Sequence, residues 1–171
     1  ASTCPEIGYF LTATTSGFED ISQSGTPLPI GPGAIGDDSG VPAVPIGFPF
    51  GFYDAVHNTV GVSPNGYLSF GPTLNDPRPD PIPSSPSPND IIAPRWNNTR
   101  RFIVQWTGVP QFGLADANTF QAVLFEADGA IEFRYLTVTP PRFKGDVVIG
   151  VENADGSRGT SVPTSQMLDG S

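Results

Sequence analysis

Apolar and polar positions alternate with a period of two wherever the chain carries a measurable pattern. In "RFIVQWT", Phe102, Val104 and Trp106 fall on one side and Ile103, Gln105 and Thr107 on the other. Successive side chains of an extended backbone point to opposite faces, so this spacing predicts a strand. "TFQAVLFEADGAIEFRYLTV" repeats the pattern on both sides of an "ADG" turn. Phe120, Ala122 and Leu124 alternate with Gln121, Val123 and Phe125 before it, and Ile131, Phe133 and Tyr135 with Glu132 and Arg134 after it. The spacing predicts a hairpin with one wet face. "VGVSPNGYLSF" predicts a second hairpin that turns at Pro64, Asn65 and Gly66, and "DVVIGVENADG" a further strand closed by Asp155 and Gly156.

Roughly eight to eleven strands separated by turn signals, with no stretch of helical period, predict an all-β fold: an antiparallel β-sandwich, jelly-roll-like, with Pro/Gly-rich loops. The apolar sides of the strands predict a core containing Phe102, Val104, Trp106, Phe120, Leu124, Phe133 and Tyr135. Composition agrees. Gly and Pro number 20 each and charged residues make up only 15%, whereas helix surfaces need Lys and Glu. The stretches 25–40 and 71–90 are rich in Pro, which removes a ladder donor, so they are expected to run over a sheet as extended cover. Residues 1–171 are expected to form a single domain. In it 1–17 is an N-terminal edge segment and 71–90 a Pro-rich loop.

"IGFPFGFYDAVHNTVGVSPNGYLSFG", residues 46–71, concentrates aromatics around the only histidine, His57. Glycines between aromatics suit a sheet whose large side chains pack while neighbouring backbones approach closely, so the stretch is read as core. "EIGYFLTAT" (6–14) alternates Ile7, Tyr9 and Leu11 with Gly8, Phe10 and Thr12. It is read as an edge strand, seated on its own sheet or on a neighbour's.

Eight Lys and Arg against 17 Asp and Glu give a formal charge of -9, which opposes binding to nucleic acid or anionic lipid. No apolar run approaches a membrane span. The chain opens at Ala1, read as the point where a signal peptide is removed, so a secreted or cell-surface location is expected. Cys4 is the single cysteine, either free or bridged between chains.

Candidate chemistry is sparse. One His and many Ser and Asp can always be written as a triad, yet no nucleophile motif surrounds any Ser, so no enzyme activity is expected and no catalytic residue is assigned. One Cys and one His exclude an ordinary structural zinc site within one copy. Oxygen ligands for calcium could come from Asp37, Asp38 and Ser39 in "GDDSG", with Asn75 and Asp76 in "NDP" and Asn153 and Asp155 in "NADG" as possible partners. Turn formation accounts for the same pairs more simply. No other cofactor is implied.

The ordered phrases "VPIGFPFGFYDAVHNTVGVSPNGYLSFG", "NDIIAPRWNN", "RRFIVQWTGVPQF", "NTFQAVLFEADGAIEFRY" and "VVIGVENADGSRGTSV" resemble a module of bacterial secreted and cell-surface proteins. That module is similar in character to nidogen-like (NIDO) extracellular domains, and the resemblance spans about residues 18–162. After "IAP" this chain has Arg95, Trp96, Asn97 and Asn98 where members of the module show an aromatic followed by acids. The resemblance implies a non-catalytic extracellular structural or adhesion module. Its partners would be other copies of itself or a surface protein or glycan. One alternative is a subunit of an extracellular filament assembled through its N-terminal strand. Another is a polysaccharide-binding or polysaccharide-cleaving domain, for which Trp96, Trp106, Phe112 and Phe143 are the candidate aromatics.

Overall fold

Among the described residues of the computed structural model, ten strands, all paired antiparallel, make up the regular structure. The structure describes residues 8–28, 40–71, 100–110, 114–140 and 149–162, together with the backbone of 91–96. The strands are β1 (Thr26–Pro27), β2 (Val41–Phe52), β3 (Ala55–Val62), β4 (Leu68–Ser69), β5 (Ile91–Trp96), β6 (Arg100–Val109), β7 (Asn118–Phe125), β8 (Ile131–Thr137), β9 (Gly150–Glu152) and β10 (Gly159–Ser161). They form a five-stranded sheet in the order β1-β5-β6-β7-β8, a three-stranded sheet β2-β3-β4 and a hairpin of β9 and β10.

The alternation read from the sequence sets the registers. Phe102 lies opposite Leu124, Val104 opposite Ala122 and Trp106 opposite Phe120, so these three pairs give β6 and β7 an apolar face. Val44, Ile46, Phe48, Phe50, Val60 and Val62 of the three-stranded sheet join the same cluster. Each such side chain contributes about 1.5–3 kcal/mol when fully buried. Trp106 stacks on Phe120 with centroids 5.1 Å apart. Its indole N–H donates to the Ser63 carbonyl at 3.0 Å, just past β3. The two sheets are therefore tied by a directional bond as well as by apolar contact.

β2 carries Pro42, Pro45 and Pro49, yet it is a strand. Its even positions from Val44 to Phe50 are buried while Pro45 and Pro49 are exposed, and it is the outermost strand of its sheet. On an edge the missing N–H leaves no ladder bond unmade. Register shifts interrupt its pairing with β3 between Val41 and Val44 and between Pro45 and Phe50. Positive φ at Ala43 (56°) and Gly47 (91°) absorbs them. Aromatic residues of 46–71 are interior as expected: Phe48, Phe50 and Tyr53 are buried, and Phe52 and Phe70 pack against the cluster.

Three expectations need correction. Tyr135 remains 40% exposed and Phe133 is only partly buried. Both point to the core side, but β8 is the last strand of its sheet and Tyr135 has only Phe120 to stack on, at 6.4 Å. The second face of the hairpin is not wet, because Ile103, Val123, Gln105 and Gln121 are all at or below 1% exposure and Arg134 is buried with them. Residues 18–25 lie over that face and bury Ile21 against Ile103 and Val123. Finally, the edge strand expected over 6–14 is absent from its described part, since residues 8–20 form no strand.

Candidate functional site

The N-terminal segment is fastened at two places. Tyr9 packs its ring against Phe52 and Tyr53, with centroids 5.4 and 5.2 Å away. Its hydroxyl donates to the Gly51 carbonyl at 3.1 Å and approaches the Gly129 carbonyl at 3.4 Å, bridging a β2 edge and the β7–β8 turn. Burial, followed by the neighbouring Tyr53, pushes the Tyr9 hydroxyl up to about 12.

Farther along, the backbone of 19–21 meets two glutamines that face each other across β6 and β7. Gln105 Oε1 accepts from the Ile21 N–H at 3.0 Å, and Gln121 exchanges bonds with both the N–H and the carbonyl of Glu19. Gln105 Nε2 also donates to Asp20 at 2.9 Å. That bond, then those from Ser22, holds the Asp20 carboxyl below the usual carboxylate range. Arg101 pairs with Glu19, and Ser16 donates to Glu132 at 3.0 Å. A segment with no strand of its own thus has its polar backbone satisfied by side chains.

The β9–β10 turn is fastened separately, to Tyr53 and Asp54 between β2 and β3. Asn153 Oδ1 accepts from the Arg158 N–H at 2.9 Å, and Asp155 Oδ1 accepts from the Ser157 N–H at 2.9 Å. Bonds from the Ser157 side chain first and its backbone second lower the Asp155 carboxyl. Arg158 pairs with Asp54 and lies over the Tyr53 ring, 5.2 Å from its centroid. Asp155 is therefore a turn cap in an exposed loop. Asp37, Asp38, Ser39, Asn75 and Asp76 lie outside the described residues. Among the described residues no three His, Cys, Asp or Glu side chains form a group able to hold a metal ion.

His57, beside Phe50 in the ladder, is half-buried with its ring 4.9 Å from Phe70. Desolvation lowers its pKa. Trp106, a candidate for a flat sugar-binding face, is interior at 1% exposure. Phe112, Phe143 and the Trp96 side chain lie outside the described residues.

Among the described residues the exposed large apolar side chains are Phe10, Leu11 and Val56 and a group around β8. Tyr135, Leu136 and Val138 are exposed along and just beyond β8, as is Leu114 ahead of β7. The backbone beside them is fixed: Thr139 N–H donates to Asn118 Oδ1 at 2.8 Å, and Asn118 Nδ2 to the Val109 carbonyl at 3.0 Å. A bulge opposite Thr119 and Phe120 sets Leu136 apart as the extra residue of β8, leaving its side chain 60% exposed. Sequence alternation could not reveal this rim, because the bulge and the outermost position of β8 are properties of the sheet.

An antiparallel all-β module with an apolar rim and a strapped sheet is the class these features define. A family model described as NIDO related matches residues 8–100, more than half of the chain, and the protein belongs to that NIDO-related family. The matched stretch holds both the strap and the aromatic hairpin, whereas β7 and β8 lie beyond it. No curated protein and no solved structure matches the chain.

Proposed function

We propose that the chain is a non-catalytic extracellular module that works by protein contact, with its two larger sheets stacked as a β-sandwich. NIDO domains are extracellular, which supports a secreted or surface location for this one. The shared core of the two sheets supports the stacking. Contact is supported by one observation above all: Tyr135, Leu136 and Val138 stand exposed on a hydrogen-bonded rim. Monomers that act alone rarely leave neighbouring large apolar side chains in water. The N-terminal segment is a poorer candidate for joining copies, because Tyr9 and residues 19–21 are already held by their own chain.

The test combines location and activity. An antibody to the folded chain should label intact source cells or their medium, and the purified chain should turn over no ester, peptide or glycoside substrate. Labelling only after permeabilisation, or turnover that disappears in His57→Ala, would overturn the reading.

A further inference from the structure

The sheets differ in how their edges are finished. β1 is a two-residue stub containing Pro27, β2 is broken by three prolines and two register shifts, and β4 has two residues. Short strands, prolines and bulges are the usual ways to keep an edge from pairing with another chain. β8 is the other outer strand of the five-stranded sheet; Ile131–Thr137 contains no Pro and no Lys, and its one bulge, at Leu136, leaves Ile131–Tyr135 regular. Among the described residues no strand pairs with its outer side.

Which backbone groups it presents follows from the turn. The Phe125 N–H donates to the Ala130 carbonyl, and the Gly129 N–H to the Phe125 carbonyl, with Gly129 at φ 70°. This is a G1-type bulge, and it makes Phe125 and Ala130 a hydrogen-bonded pair. Hydrogen-bonded and non-hydrogen-bonded pairs alternate along an antiparallel ladder. The backbone groups of Glu132 and Arg134 therefore turn toward β7, and those of Ile131, Phe133 and Tyr135 turn outward. The bulge at Leu136 ends the regular segment, so its midpoint is Phe133.

We propose that a second copy of this chain pairs antiparallel with β8 about a two-fold axis at Phe133, joining two five-stranded sheets. Only one register uses all three outward residues. It sets Phe133 against Phe133 and Ile131 against Tyr135, each as hydrogen-bonded pairs. On the opposite face it sets Glu132 against Arg134 twice. Moving either copy by two residues instead opposes Glu132 to Glu132 or Arg134 to Arg134, and like charges directly opposite are unfavourable. The five residues "IEFRY" are thus complementary to their own reverse in apolar character, in charge and in hydrogen-bonding side. Within one chain Arg134 already donates to Glu132 at 2.9 Å, so pairing would turn a two-residue ion pair into a ring of four. The dimer deepens the contact-module reading by naming its partner and rests on it only for the role of contact. A monomeric chain would defeat the dimer and leave the module standing, whereas catalytic turnover would defeat the module and leave the dimer measurable.

The experiment is sedimentation equilibrium of the full 171-residue chain, alone and as charge variants. Wild type should dimerise weakly and with concentration. Glu132→Arg and Arg134→Glu each place like charges across the axis and should weaken self-association about tenfold or more. A one-to-one mixture of these two variants restores both opposite pairs and should recover the dimer as a heterodimer. Tyr135→Pro, at an exposed side chain whose N–H faces outward, should abolish dimerisation while leaving the β7 ladder and the melting transition in place. It keeps the test decisive should the Arg134 variant fail to fold. A monomeric wild type, variants that dimerise like wild type, or folded variants whose mixture stays monomeric would overturn the proposal.

Discussion

Gln105 and Gln121 face each other across the β6–β7 ladder, and Nε2 of Gln121 donates to Oε1 of Gln105 at 2.7 Å. The pair is buried, and each amide spends its remaining capacity on the backbone of residues 19–21 or on Asp20 and Thr107. The consequence is a polar clamp built into an otherwise apolar layer beside Ile21, Ile103 and Val123. Replacing Gln105 with Leu would leave the Ile21 N–H buried without its acceptor, and a buried donor left unmade costs about 1–3 kcal/mol. Gln105→Leu should therefore lower the denaturant midpoint and open residues 8–25 to limited proteolysis. Because the two amides share a bond, the double variant with Gln121→Leu should cost less than the sum of the singles. Unaltered midpoint and proteolysis in both singles would show that the clamp does not hold the strap.

Trp106 tests the joint between the sheets. Its ring fills the shared core and its N–H reaches the Ser63 carbonyl. Trp106→Ala should cost about 3–5 kcal/mol, as large-to-small core changes do. Trp106→Phe keeps most of the ring and loses the indole bond, while the Gly66 N–H still donates to the Ser63 carbonyl at 3.3 Å, so a smaller loss of about 0.5–1.5 kcal/mol is expected. Equal losses in the two variants, by chemical denaturation, would mean that the bond contributes nothing.

The parity of β6, β7 and β8 was legible in the sequence because period two is a local property: Phe102, Val104, Phe120 and Leu124 lie where alternation puts them. Burial of the second face was not legible. Gln121 fell on the expected wet face and Gln105 on the side opposite Trp106, because alternation has no knowledge of what lies above a sheet, and their partners Glu19 and Ile21 come from 102 and 84 positions earlier. The exposure of Tyr135 was not legible for the complementary reason. Alternation gives the face of a residue but not the place of its strand in the sheet, and an outermost strand leaves the core-side ring half open. Of the metal candidates Asp37, Asp38 and Asp155, the described one serves its turn through Ser157, as the turn-forming reading of Asp-Gly expects.

His57 gives a pH dependence with a defined sign. Burial against Phe70 lowers its pKa in the folded protein. Between the folded value and the ordinary value of about 6.5, the unfolded chain binds more protons than the native one, so stability rises with pH there. As pH falls through that window the protein should lose stability, then level off once both states are protonated. The single imidazole makes the titration directly visible by proton NMR, with a midpoint below the ordinary one. His57→Gln should flatten the stability profile across this window; a midpoint at or above the ordinary value would refute the burial account.

Tyr9 decides whether the N-terminal segment belongs to its own copy. Its ring sits among Phe52 and Tyr53 and its hydroxyl bonds to Gly51, contacts made wholly within one chain. Tyr9→Ala should therefore destabilise the isolated protein at any concentration, by about 1–3 kcal/mol given that the ring is half-buried. Tyr9→Phe should cost about 1 kcal/mol through the lost hydroxyl bonds. Deleting residues 1–14 removes the ring while keeping the 19–21 clamp, so the shortened chain should fold with a lowered midpoint close to that of Tyr9→Ala. Its self-association through β8 should be unchanged, because among the described residues no backbone bond joins Ile131, Phe133 or Tyr135 to residues 8–14. If the deletion instead left stability intact and abolished assembly, the segment would be acting between copies, and its contacts with Gly51, Phe52 and Tyr53 would have to be made by a neighbour.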